Sequence, residues 1–201
     1  HWMVHSFPTR RSSDLDFCHA VIPYKRKFEF FLPNGIRLDS LDKELLQLMR
    51  KAGFRREVAV GIESGSERIL KIMKKNLSLD LVREKISLLN AAGFRPIGYF
   101  IVGFPGETKE DIQKTLRLAL ELKLSAAAFT PFAPMPGTEA TNRLLETGEL
   151  PSDFDFTLIT TDKVSYAPKG MTRDELDRMR KLALLRFNLR LRPILYYLRN
   201  Y

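Results

Sequence analysis

Glu63 and Ser64 stand where a buried-strand pattern stops. The run Val58-Ala-Val-Gly-Ile62 is short, apolar and β-branched, and it ends on Glu63-Ser64-Gly65-Ser66. In parallel α/β folds, the carboxyl end of a strand is where ligands are held. Two later segments share the property: Gly103 to Glu107 and Pro131 to Thr138 set glycine, proline and polar residues directly after a strand pattern. Gly-Phe-Pro-Gly-Glu lacks the Lys-Ser or Lys-Thr ending of a phosphate loop. Its glycines let a flat ligand lie against the backbone, and its proline stiffens the loop. Strand direction puts all three segments on one rim, so Glu63, Gly103 and Pro134 are expected to line one concavity. The plain alternative is that Glu63 caps the helix after it, the glycines only turn the chain and Lys75 is solvated. On the residues alone these two readings are evenly matched.

The elements that would position these residues are regular. Strands are predicted near 28–32, 57–62, 96–102 and 126–130, parallel and adjacent in that order, with the first closed by Pro33-Asn34-Gly35. Asp39 or Ser40 is predicted to cap a helix carrying Leu41, Leu45, Leu48, Met49 and Ala52, with Gly53 at its end. Ser78 caps a second helix with Val82, Ile86 and Leu89 inward, ended by Gly93. Thr108 and Asp111 start a third, with Ile112, Leu116 and Ala119. The echo of Ala52-Gly53-Phe54-Arg55 in Ala92-Gly93-Phe94-Arg95 closes a helix and feeds a strand each time. Units of one strand and one helix build a parallel sheet with right-handed crossovers. About four βα units leave a partial barrel or an open doubly wound sheet. From Glu149 to Gly170 the pattern predicts a covering loop or short hairpin. Thr172 and Glu175 then cap a terminal helix with Leu176, Met179, Ala183 and Phe187 inward, interrupted at Pro193.

With 201 residues and 44% apolar content, the chain has enough for one domain with a sizeable core. Net charge is +9, and +5 of it falls between Met171 and Tyr201. No apolar run is long enough to span a bilayer. One cysteine, Cys18, excludes an internal disulfide and fits a reducing cytoplasm. It is read as a buried helix residue. His1, His5 and His19 lack carboxylate partners, so no metal site is assigned to them. Ser6 to Leu15 shows neither helical nor strand periodicity and resembles the translation of a common sequencing-adapter oligonucleotide. Residues 1–15 are therefore expected to be non-native, with the true upstream sequence missing.

Gly61-Ile-Glu63-Ser-Gly, Lys75, Phe100-Ile-Val-Gly103-Phe-Pro-Gly-Glu-Thr108 and Pro134-Met-Pro-Gly-Thr138 together resemble the later half of the radical S-adenosyl-L-methionine (SAM) core. The likeness runs from about Phe28 to Leu144 and is greatest to the branch with an upstream cobalamin-binding domain. It implies an α/β fold, an incomplete (β/α)6 partial TIM-type barrel over residues 16–148, with an irregular segment and a basic helical extension over 149–201. It also implies SAM, a [4Fe–4S] cluster whose reduced form cleaves SAM to a 5′-deoxyadenosyl radical, and cobalamin in the parent enzyme. By the same resemblance Glu63 and Ser64 face the SAM ribose or methionyl part, and Lys75 approaches its carboxylate. Ile101 and Gly103, with backbone near Ala133 and Pro134, pack on the adenine.

The family's three-cysteine CxxxCxxC loop is absent from this sequence. Three thiolates hold the cluster and Cys18 is one, so the chain reads as the carboxyl part of an enzyme, inactive alone and missing its amino-terminal half. The implied substrate is a small or lipid-like molecule, with no nucleic acid. A second reading rests on charge: the basic terminal helix, with Phe187, Tyr196, Tyr197 and Tyr201, would bind an acidic membrane surface or nucleic acid. The plainer account packs that helix on the barrel and leaves its arginines in water.

Overall fold

Three apolar segments form a parallel sheet in the order in which they occur: β1 (Glu57–Glu63), β2 (Arg95–Val102) and β3 (Ala126–Pro131). The structure is a computed structural model and describes residues 11–24, 27–32 and 34–200. Parallel neighbours need a crossover, and a helix spans each one: α4 (Leu79–Ala91) from β1 to β2, and α5 (Lys109–Glu121) from β2 to β3. A shorter helix, α3 (Glu67–Ile72), directly follows β1. Ser78 accepts from the Leu81 N–H at the start of α4, and Thr108 and Asp111 cap α5 reciprocally.

The predicted fourth strand does not form. Around 28–36 the described residues make only isolated parallel bridges, Phe30 with Phe54 ahead of β1 and Ile36 with Val60 in β1. Between them the Gly35 N–H turns back to the Leu32 carbonyl, with Gly35 at φ 78°, and that turn breaks the ladder. A Cβ on Gly35 would also strike the Ala59 backbone, so only glycine brings the turn this close to β1. Among the described residues the sheet thus has three strands where four were expected.

Two helices precede β1: α1 (Arg11–Val21) and α2 (Lys43–Ala52). Residues 11–15, read above as aperiodic, form the start of α1, and Leu15 packs on the core. Cys18 on α1 is buried, as expected. His1 and His5 lie outside the described residues. The cap of α2 is Asp42, which accepts from the Leu45 N–H, and not Asp39 or Ser40. Those two close a 3-10 turn, Leu38–Ser40, in which Arg37 holds the Asp39 carboxylate. Gly53 and Gly93 take left-handed φ values of 90° and 82°, which ends each helix and turns the chain toward the amino end of the next strand.

One face of the sheet carries the core. Val58, Val60, Ile62, Phe100, Val102 and Phe129 pack with Val82, Ile86 and Leu89 of α4 and Ile112 and Leu118 of α5. Phe100 and Phe129 stack at 5.2 Å between centroids. The terminal helix α7 (Arg173–Asn188) packs on β3 and α5. Its Leu176, Ala183 and Phe187 are fully buried and Met179 is partly so, each full burial being worth about 1.5–3 kcal/mol for the larger side chains. The predicted Thr172–Glu175 capping box is present. The helix ends at Asn188 instead of at Pro193. Pro193 sits in the first turn of α8 (Leu191–Asn200), where a missing N–H costs little.

Beyond β3, Thr138 caps α6 (Glu139–Glu146), a helix the sequence pattern did not reveal. The segment 149–170 contains a 3-10 turn at Phe156–Leu158 and, among the described residues, no strand, so it is a covering loop and not a hairpin. Its Leu150 and Tyr166 join Phe132 and Leu144 in a second apolar cluster, against which Ile101 and Phe104 pack.

Candidate functional site

The opposite face of the sheet is where chemistry is available. Strand alternation and register place Gly61, Tyr99 and Ala128 in one row across it, with Ile97 and Ile101 on either side of Tyr99. Small residues flank Tyr99, which is 42% exposed. Tyr99 was not singled out in the sequence. The signal was there in the alternation of Ile97, Tyr99 and Ile101 with the buried Pro96, Gly98, Phe100 and Val102.

At the carboxyl end of this face, β1 bulges between Gly61 and Glu63, and Glu63 takes a left-handed φ of 68°. That conformation is costly for a residue with a Cβ and recurs where a side chain must be aimed. Here it turns the carboxylate to Lys75, whose Nζ donates to Oε1 at 2.8 Å. Glu63 therefore does not cap α3; the cap position is Ser66. A Cβ on Gly61 would lie 2.6 Å from Glu63 Oε1 and 3.5 Å from Lys75 Nζ. The glycine leaves open the space beside the pair.

Ser64, expected beside Glu63, is turned the other way. It is fully buried; its hydroxyl lies 3.2 Å from the Thr115 hydroxyl on α5 and accepts from the Ser66 N–H. The Gly65 N–H also donates to Thr115, at 2.9 Å. A Cβ on Gly65 would lie 2.5 Å from the Lys114 carbonyl, so this loop is seated directly on α5. Asp111, buried on the same helix, accepts from Ser66 at 2.7 Å and from Thr108, and is paired with Arg68. Burial alone would raise its pKa, but the bonds from Ser66, Arg68 and Thr108 outweigh that and hold it well below the usual aspartate range.

The loop after β2 is clamped in the same manner. Glu107 is buried, and its Oε2 accepts the N–H groups of Gly103 and Phe104, while Oε1 has no partner. Burial raises its pKa to about 7, against the lowering effect of those two bonds. The Cα of Gly103 faces Leu176 of α7 with no room for a Cβ. Ala133 lines a cavity of about 580 Å³ between the end of α3, the Phe104–Gly106 turn and α6. Glu63, Gly103 and Pro134 are not among its lining residues. Leu176 covers Gly103, Pro134 is buried, and Glu63 is engaged by Lys75. Of the seven predicted site residues the structure joins Glu63 to Lys75. It sets Ile101 and Ala133 near the Phe132 cluster, and it keeps Ser64, Gly103 and Pro134 inside.

The sequence profile of the Radical SAM superfamily matches residues 16–119, and the chain belongs to that superfamily. Its curated relatives include an uncharacterized methyltransferase of Pyrococcus horikoshii, 28% identical over 77% of this chain and 33% of that protein. Another is the anaerobic magnesium-protoporphyrin IX monomethyl ester cyclase of Cereibacter sphaeroides, 29% identical over 83% of this chain and 27% of that protein. Among solved structures, TsrM, a radical SAM methyltransferase of Kitasatospora setae, shares the fold with a TM-score of 0.57 at 15% identity, over 66% of this chain and 27% of that one. TsrM has been seen with a SAM analogue and, separately, with cobalamin and a [4Fe–4S] cluster. The chain spans about a quarter to a third of the length of these relatives.

Radical SAM enzymes use SAM and a [4Fe–4S] cluster, and the two groups fit this chain differently. The acceptor and donor of Glu63 and Lys75, with the space Gly61 leaves beside them, suit a ligand bearing hydroxyls and a carboxylate. The cluster does not fit. Cys18 is the sole cysteine, it is 2% exposed, and burial raises its thiol pKa, away from the thiolate an iron site requires.

Proposed function

We propose that this chain is the carboxyl-terminal part of a cytoplasmic radical SAM enzyme of the cobalamin-associated branch. It would keep one wall of the SAM site and lack the cysteines of the cluster. Its three-stranded sheet would be the later part of an incomplete (β/α)6 barrel, with Tyr99 and Gly61 facing the lumen. The observation that carries this reading is the Glu63–Lys75 pair, held by a left-handed glutamate at the carboxyl end of a sheet from this superfamily. Cysteines elsewhere in the parent would hold the cluster, which would supply the electron for SAM cleavage. Lys75 would bind the SAM carboxylate and Glu63 its ribose hydroxyls, while Ile101, Gly103, Ala133 and Pro134 would shape the adenine end. Ser64 would act through the loop it anchors on Thr115. The substrate would be a small or lipid-like molecule set by the parts of the parent outside this chain.

The test is anaerobic reconstitution of this chain and of its full-length parent with iron and sulfide. The expected result is the absorbance of a [4Fe–4S] cluster, and 5′-deoxyadenosine after reduction, from the parent only. A cluster and SAM cleavage from this chain alone would sink the fragment reading. In the parent, Gly61→Ala is expected to weaken SAM binding by about tenfold or more, since the added methyl displaces the Glu63 carboxylate. Its cost to stability should stay under about 1 kcal/mol, because the displaced atoms are side-chain ends. Unchanged SAM affinity in a folded Gly61→Ala enzyme would remove Glu63 and Lys75 from the site.

A further inference from the structure

The carboxyl-terminal helices carry two apolar stripes that none of the described residues covers. On α7 and its C-cap, Leu182, Leu185 and Leu189 are 45%, 55% and 68% exposed; on α8, Leu191, Ile194 and Leu198 are 73%, 40% and 75% exposed. Each set has the i, i+3, i+7 spacing of one helix face. They are separate from the stripe of Leu176, Ala183 and Phe187 that α7 buries on the sheet. A helix that needed only to complete the domain would end its apolar residues there. Patches of this kind mark interaction surfaces.

The charge around them selects the partner. From Arg178 to Tyr201 the chain has seven Lys and Arg and no Asp or Glu, with Arg180 and Lys181 paired to Asp177 just before them. Arg186 lies exposed between Leu185 and the buried Phe187, and Arg190 ties the end of α7 to the carbonyls of Ala119 and Leu122. A second copy of the chain would bring like charge against like charge. Nucleic acid would match the charge but leave six aliphatic side chains in water. An anionic bilayer surface answers both features, since headgroups take the arginines while leucines enter the acyl boundary. No helix among the described residues is long and apolar enough to cross a membrane, so the contact would be peripheral.

We propose that α7 and α8 form a docking surface for an anionic lipid membrane. This stands independently of the SAM site. The experiment is co-sedimentation of the 201-residue chain with vesicles of phosphatidylcholine alone or mixed with phosphatidylglycerol. Binding to the anionic vesicles is expected to be about tenfold tighter or more, and to fall as salt is raised. Replacing Leu185 and Leu189 together by Glu should abolish it while leaving the far-ultraviolet circular dichroism and the unfolding midpoint unchanged, because both side chains are exposed. Arg186→Glu should weaken it about fivefold or more. Equal binding to both vesicles, no binding to either, or insensitivity to these substitutions overturns the proposal. So does displacement from the vesicles by duplex RNA at equal charge, or self-association lost in the same variants without any vesicle binding.

Discussion

Asp111→Ala is expected to lower the unfolding free energy of this chain by about 2–4 kcal/mol. The carboxylate is buried on α5 and gathers donors from three places: Ser66 and Arg68 after β1, and Thr108 at its own helix cap. Deleting it removes the reciprocal half of the cap, about 1 kcal/mol. It also leaves the buried Ser66 hydroxyl without an acceptor, at about 1–3 kcal/mol. The Arg68 contribution is discounted because that side chain is half exposed and returns to water. Since the folded pKa is depressed, the stabilisation is complete above the ordinary value of 3.8 and is lost as pH falls below it. Urea unfolding at neutral pH and near pH 3 checks both parts. A loss under about 1 kcal/mol at neutral pH would show that the β1–α3 loop is held by Thr115 without Asp111.

Glu107 has the opposite sign. Its folded pKa is raised to about 7 from an ordinary 4.5, chiefly by burial. Between those values the folded chain holds a proton that the unfolded chain has released. Stability therefore falls as pH rises through that window, by about 3 kcal/mol once pH passes the folded pKa. Glu107→Gln keeps an acceptor for the Gly103 and Phe104 N–H groups and removes the charge. The variant is expected to match or trail the parent chain near pH 5 and to exceed it by about 1–3 kcal/mol near pH 8. Unfolding midpoints in urea across that range decide it. A flat profile for the unsubstituted chain would mean that Glu107 is ionised when folded, with the Gly103 and Phe104 donors outweighing its burial.

Local chemistry explains what was legible. Gly53 and Gly93 end helices because only glycine enters the left-handed region cheaply, and the Thr108 and Thr172 boxes start helices because their partners lie three residues away. The three strands and the buried stripe of α7 follow from hydrophobic period, and the parallel order from the helix between successive strands. The family, too, was legible as a resemblance carried by the motifs around Glu63, Lys75, Gly103 and Pro134.

Other features needed distant partners that no local pattern specifies. Residues 28–32 have strand composition, yet a ladder depends on what the neighbouring edge offers, and the turn at Gly35 interrupts it. Ser64 and Glu63 are adjacent, yet a bulge and one left-handed residue send them to opposite sides, toward Thr115 and toward Lys75. Gly103 invited a ligand by its type, and Leu176, seventy-three positions on, took the space. Sequence determined which residues have special chemistry and which elements carry them. Which of those residues meet, and which are closed off by packing, was decided by tertiary contacts between segments far apart in the chain, because burial and pairing are properties of both partners.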